Sequence, residues 1–370
     1  MDIKHYLSEL ATLVNVDCGT GTPEGVRAVA ETLNAMWRDE GWHTEFQDFG
    51  PQVGPGLLAT NSPQAEQFDV LLVGHMDTVF PVGTVAERPM SMDDSRVYGP
   101  GVSDMKSGLL SILWAIRSLP ASHKERLKIA VAMNPDEETG SLHSHHWIEE
   151  LALRSRAVLV CEAARADGSL VSARKGMAGY RLTFHGVAAH AGNEPEKGRS
   201  AITALAHAVL AINALAEPKL GTTLNVGVIS GGSVANVVAD RAEALIDVRF
   251  TSNDAFEAVQ QRLNALCEQG FLEGVTCQLT RINHKPAMAV TPASEVLMKL
   301  VEQAGTDEGI GITWKAVGGG SDANHTAALG VPTLDGFGPA GAGFHSASEY
   351  LETSSIEPRI RLLRRVLEKM

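Results

Sequence analysis

The chain has 370 residues, 44% hydrophobic and 20% charged, enough to bury a full core and to divide into two domains. Its formal charge of -13, with no Lys/Arg cluster before the final helix, excludes a nucleic-acid backbone as partner. No apolar stretch reaches the roughly 18 residues a membrane span needs, and Cys18, Cys161, Cys267 and Cys277 form no CxxC pair, as expected of reduced thiols in a cytoplasmic protein.

The first residues are amphipathic and carry Asp2 and Glu9, so they predict a helix from Ile3 to Val14 rather than a secretory signal. Helical spacing resumes from about Pro23 to Glu40, with proline suited to the helix start. Strands are expected at about 44–48 and 69–74, the second running into GHMDTV. Helical spacing then covers Met105 to Leu119, and the apolar runs Leu127 to Met133 and Ala157 to Cys161 resemble buried parallel strands. This alternation predicts an α/β domain with a mostly parallel central sheet covered by helices.

Near Gly176 the pattern changes. Alternating strands are expected at Tyr180 to Phe184, around Thr223 to Ile229, at Glu243 to Phe250 and at Thr276 to Arg281, with helices at about 199–216 and 254–269. The order β-α-β-β-α-β predicts an inserted ferredoxin-like α+β unit. After Pro286 a helix, a strand and a Gly-rich loop return, so residues 1–176 and 286–370 should form one discontinuous domain and 177–285 the insert. The closing RIRLLRR is expected to be a solvated helix face.

Polar residues collect at the predicted strand ends: His75 and Asp77 in GHMDTV, Asp104 in GPGVSDMKSG, Glu137 and Glu138 in NPDEETGS, Glu162 in VCEA, and His345 in GFHSASEY. His75 and Asp77, two apart on an extended chain, share one face at a strand's carboxyl end, where open α/β sheets place ligands. Each residue also has a plainer account. His75 would serve as a core histidine, Asp104 as a helix N-cap, the DEE run as first-turn acids, Glu162 as an exposed acid and His345 as a surface residue. Taken together, carboxylates and imidazoles at one sheet edge would repel and desolvate each other unless a cation neutralised them.

GHMDTV, GPGVSDMKSG, NPDEETGS, GGGSDA and GFHSASEY, in this order across nearly the whole chain, resemble the zinc-dependent aminoacylase and glutamate carboxypeptidase family. The resemblance implies a zinc-exopeptidase catalytic domain with an inserted dimerisation or lid domain, and two zinc ions per chain. His75 and Glu162 would hold one ion, Glu138 and His345 the other, and Asp104 would bridge them; cobalt or manganese are possible substitutes. By the same matching Asp77 orients His75 and Glu137 is the general base. In the insert, His190 of FHGVAAHAG, Asn236 of GGSVANVVAD and Arg249 of LIDVRF match residues that meet substrate, His190 by reaching across a homodimer.

The expected activity is cleavage of an amide or peptide bond next to a free carboxylate, releasing a C-terminal amino acid such as glutamate. Deacylation of N-acyl amino acids and dipeptide cleavage are alternatives within the family. In the glutamate branch a lysine shortly after the Glu162 position meets the side-chain carboxylate, whereas this chain reads ARADGSLVSARKG, so either Arg174 or Lys175 replaces it or the preference differs. Two other classes stay open: a non-catalytic metal-bound binding protein, and a metal-free α/β binder. Signals for rival chemistries are absent, with no GxSxG, GxxxxGK[ST] or HExxH. His143, His145 and His146 are expected to lie solvated on a helix, and His325 has no assigned role.

Overall fold

Six consecutive residues, Val70–His75, are all buried and form the strand that organises the first unit of the fold. The computed structural model describes residues 1–370. Along the six-stranded sheet the order is His43–Gln47, Gly56–Thr60, Ile129–Asn134, Val70–His75, Val158–Val160, Thr333–Leu334. Val70–His75 runs parallel to both neighbours, and Thr333–Leu334 extends that parallel half. Gly56–Thr60 and His43–Gln47 add an antiparallel edge. The sheet is therefore mixed, with its parallel half where the apolar runs are continuous.

Helices cover the sheet with apolar stripes. Trp37 from Pro23–Asp39, Leu110 and Leu113 from Ser107–Ser118, and Leu363 and Val366 from Thr353–Lys369 join one core with Leu72 and Val131. Burying each such side chain contributes about 1.5–3 kcal/mol. The closing helix departs from the solvated face expected of RIRLLRR. Arg361 and Arg364 pair with Glu308, and Arg365 with Asp307, so these arginines lie along the acidic end of helix Pro292–Glu308. No helix is long and apolar enough to cross a membrane.

The chain separates into two compact units: residues 1–173, 290–317 and 321–370, and residues 174–289 with Gly318–Gly320. The second unit contains an antiparallel sheet in the order Thr223–Gly231, Arg241–Phe250, Gly176–His185, Thr276–Lys285. Helices Ala201–Asn213 and Asn253–Gln269 supply Leu205, Ala208, Phe256 and Leu263 to its own core. At its base, reciprocal backbone bonds between Arg174 and Met288 zip the two connections together. Cys267 and Cys277 are free thiols whose sulfurs lie 3.3 Å apart, a proximity that their ten-residue separation does not advertise.

Two further elements depart from the sequence reading, one unanticipated and one misplaced. Gly56–Thr60 is a strand although it sits in a Gly/Pro-rich stretch. The helix expected from Met105 begins at Ser107, because Val102–Lys106 is a wide turn with Asp104 (φ −114°, ψ 88°) outside helical backbone. Asp104 is therefore not an N-cap.

Candidate metal-binding active site

Three strand ends of the large sheet deliver the first polar groups. His75 is the last residue of Val70–His75, the turn Glu137–Thr139 follows Ile129–Asn134, and Glu162 follows Val158–Val160. A second, five-stranded sheet supplies the remaining ones. Ala163–Ala164 pairs with Gly338–Ala342, which pairs with Tyr350–Glu352, and the loop between the last two strands carries His345 and Glu349. His345 has a left-handed backbone (φ 61°), unusual for a residue with a side chain, and its ring reaches Asp104.

These elements bring the expected ligands together. His75 Nε2 lies 3.3 Å from Asp104 Oδ1 and 3.6 Å from Glu162 Oε1. His345 Nε2 lies 3.2 Å from Asp104 Oδ2 and 3.0 Å from Glu138 Oε2. The result is two donor sets, His75–Asp104–Glu162 and Asp104–Glu138–His345, each with its donor atoms within 4.8 Å of one another. Asp104 belongs to both sets, one oxygen facing each. Glu137 belongs to neither.

The electrostatics show how the cluster shares its charge. Burial pushes the Glu162 carboxyl well above the usual range, and the Asp104 charge adds to that push. Burial likewise raises Glu138, to about 6, against the opposing bond from His345. Burial also acts against ionised Asp104, yet its bonds from His345 and His75 prevail and hold it far below the ordinary carboxylate range. His75 is held well above its usual value because Asp104, Asp77 and Glu162 outweigh the burial of its ring. Asp104 and Glu138 raise His345 to about 10. The acids compete for positive charge that two imidazole protons supply in part, and divalent cations would supply it more fully. Mixed imidazole and carboxylate donors fit zinc and neighbouring first-row metals.

Asp77 does more than the sequence implied. It is fully buried. His75 Nδ1 donates to the Asp77 backbone carbonyl at 3.0 Å, with the carboxylate Oδ1 at 3.3 Å, which leaves Nε2 facing the donor set. The Asp77 carboxylate also accepts from Thr20 Oγ1 (2.6 Å), the Glu137 N–H (3.1 Å) and the Glu138 N–H (3.2 Å). One residue thus fixes both the imidazole and the turn bearing the two glutamates.

Glu349 is a contributor that sequence reasoning missed. Its carboxylate accepts from the N–H groups of Gly101 (2.9 Å), Ser103 (2.9 Å) and Asp104 (3.0 Å), clamping the turn that presents Asp104. Burial raises its pKa to about 7 in spite of those donors. Its place in GFHSASEY, four residues after His345, was the available signal. The glycines of GPGVSDMKSG have local causes as well. Gly101 has φ +71°, and a Cβ on Gly108 would stand 2.0 Å from the Cys161 carbonyl oxygen, beside Glu162.

Beside Glu138 opens a cleft of about 470 Å³, lined by Thr20, Thr78, Phe80, Pro81 and Thr139 among others.

The second unit holds His190, Asn236 and Arg249, each exposed or half-buried. His190 Nδ1 accepts from the N–H groups of Gly192 and Asn193 at 3.1 and 3.2 Å, so Nε2 carries the ring hydrogen. Asn236 is exposed, and its carbonyl pairs with the Ala191 N–H. Arg249 donates to Asp247 at 2.9 Å in a part-exposed ion pair. Buried Arg174 donates to the Gly319 carbonyl at 3.0 Å, so this stretch of GGGS turns at least that acceptor toward a guanidinium. Lys175 donates to the Gly221 carbonyl at 2.7 Å.

The model of peptidase family M20/M25/M40 matches residues 71–369, and so spans both donor sets and Glu137. The chain belongs to the M20 peptidase family. This M20 peptidase is 30% identical to carboxypeptidase G2 of Pseudomonas sp. (strain RS-16), over 98% of this chain and 88% of the relative. It is 29% identical to succinyl-diaminopimelate desuccinylase of Acidovorax ebreus (strain TPSY), over 83% of this chain and 82% of that protein. In fold it is similar to aminopeptidase PepT of Bacillus cereus ATCC 10987, with TM-score 0.82 at 24% identity, covering 100% of this chain and 99% of the other. The M20 peptidase is thus a hydrolase of the metallopeptidase and amidohydrolase kind, and its two donor sets are where side chains could hold divalent metal.

Proposed function

We propose that this M20 peptidase is a two-zinc hydrolase that cleaves an amide or peptide bond next to a free carboxylate and releases a C-terminal amino acid, glutamate first among the candidates. One observation carries the proposal: Asp104 is shared between two imidazole-carboxylate sets, with Glu137 next to them in sequence but outside both. His75, Asp104 and Glu162 would hold one ion, and Asp104, Glu138 and His345 the other. When bound, such a pair would polarise the scissile carbonyl and lower the pKa of the attacking water.

The chain's own groups then divide the remaining work. Glu137 takes the proton from the attacking water and passes it to the departing amine nitrogen, which calls for a carboxylate without a ligand role. Asp77 keeps Glu137 and Glu138 in their separate positions by holding both of their N–H groups. His190, a donor through Nε2, stabilises the developing oxyanion from the partner subunit of a homodimer. Asn236 and Arg249 take the substrate's free carboxylate, for which Arg249 exchanges its bond to Asp247. We place the enzyme in the cytoplasm, in keeping with its free cysteines.

Glutamate leads because GGGSDA and GFHSASEY resemble the glutamate carboxypeptidase branch, the carboxypeptidase relative supports release of a C-terminal residue, and deacylation of an N-acyl amino acid is a second possibility that the desuccinylase relative supports. Arg174 and Lys175 already donate to backbone carbonyls, so neither is assigned to a glutamate side chain. The test is hydrolysis by zinc-restored protein of N-acyl amino acids that differ only in the amino-acid side chain. Fastest release of glutamate is expected. Preference for neutral side chains would overturn the substrate, and no hydrolysis across the set or across dipeptides would overturn the activity.

A further inference from the structure

A second group of metal-type donors lies outside the site described above. His145 and His146 open the helix His145–Leu153, and Glu149 follows one turn later. Their donor atoms lie within 4.8 Å of one another. His146 Nδ1 stands 3.2 Å from Glu149 Oε2, and the His145 and His146 rings are 4.0 Å apart at their centroids. A different helix, Ala323–Ala328, brings a third imidazole. His325 Nδ1 is 3.6 Å from Glu149 Oε1, and its ring centroid is 5.4 Å from that of His145. Thus two histidines face the two oxygens of one carboxylate, and a third lies alongside.

Hydrogen bonding prepares His145 for ligation. Its Nδ1 lies 2.9 Å from the Ser141 carbonyl oxygen, an acceptor only, so Nδ1 carries the hydrogen and Nε2 keeps its lone pair. Fixing the far ring nitrogen on a carbonyl is the arrangement that orients metal-bound histidines. Tetrahedral zinc with donors at about 2.0–2.1 Å holds them about 3.4 Å apart, so these groups need to close by roughly 1 Å. The exposed His146 side chain, at 79%, has the freedom to make that adjustment.

We infer that His145, His146 and Glu149, with His325 beside them, form a peripheral site for one zinc-type divalent cation, separate from the Asp104 cluster. An ion there would be held by helix His145–Leu153, with His325 of helix Ala323–Ala328 beside it. These helices are already joined at their starts, since Asp322 accepts from Ser141 and from Asn134 at the end of strand Ile129–Asn134. The site lies on the helix that follows the Glu137–Glu138 turn in sequence, outside the Asp104 cluster.

The test is zinc titration of chelator-treated full-length protein, with bound ions counted by elemental analysis and calorimetry, for wild type, His146→Ala and the double variant His145→Ala/Glu149→Gln. Wild type is expected to bind one ion per chain more than either variant, and zinc-restored hydrolysis is expected to be unchanged. Cobalt in place of zinc should lose one component of its visible spectrum in the variants. Equal ion counts in wild type and His146→Ala would overturn the proposal. Loss of an ion together with loss of hydrolysis would overturn it too, because the ligands would then serve the site already described. Should the double variant fail to fold, the exposed single change His146→Ala decides alone.

Discussion

The adjacent acids Glu137 and Glu138 show how much chemistry depends on one turn. Glu138 faces His345, whereas Glu137 stands outside both donor sets, and Asp77 holds the N–H of each. Glu137→Gln is expected to lower kcat by about 10²–10⁴-fold while metal content, measured by elemental analysis, stays at the wild-type level. Glu349→Ala would leave three buried N–H groups without their acceptor, at about 1–3 kcal/mol each. Lower zinc affinity by calorimetry and a lower unfolding midpoint should follow, and Glu349→Gln should recover part of both. A third prediction concerns metal-free protein. The folded-state pKa of His345, about 10, lies above the unfolded value of about 6.5, so its contribution to stability is complete below about pH 6.5 and is lost as pH rises through about 10. The melting-temperature difference between wild type and His345→Gln in chelator should shrink toward zero over that range; a constant difference would refute the ion-pair origin. His75, Asp104, Glu138, Glu162 and His345 were legible because each falls in a short motif of unusual composition. Glu349 shares the GFHSASEY motif with His345 but was passed over, because a carboxylate that works by accepting backbone N–H groups looks like any other acid in a loop.

At the scale of elements, legibility followed periodicity. Ile3–Val14 and Pro23–Asp39 have strong apolar stripes, and their boundaries lie within a residue of the expected ones. Gly56–Thr60 was missed because five residues among glycines and prolines carry too little alternation to announce a strand. The helix start after Asp104 misled for a different reason. A polar residue ahead of a helical pattern fits an N-cap, but the wide turn Val102–Lys106 delays the helix and turns the carboxylate to the histidines. The same segment yields a packing prediction. Gly108 sits where the helix Ser107–Ser118 crosses the Cys161 carbonyl, and that backbone atom has no room to give. Gly108→Ala should cost about 1–3 kcal/mol through overpacking, read as a lower denaturation midpoint, and should weaken zinc binding by displacing the adjacent Glu162. Unchanged stability would mean that the helix can retreat without loss.

For the whole molecule, we propose a surface for the homodimer. The edge strand Thr223–Gly231 exposes Val228 (55%) and Ile229 (63%), and helix Ala201–Asn213 exposes Leu210 (70%). An unpaired apolar edge of this kind is a ready template for a second chain. Light scattering is expected to give about twice the 39.3 kDa chain mass for wild type and a single-chain mass for Ile229→Lys. The division into units also sets an order of events. On a growing chain, His75, Asp104, Glu137, Glu138 and Glu162 all emerge before residues 174–289, whereas His345 and Glu349 emerge only after them. Until then Glu138 has no imidazole partner and the Asp104 turn has no clamp. Completion of the second donor set is thereby tied to completion of the insert, so a nascent chain gains its full complement of ligands late, after the second unit has had time to fold on its own core.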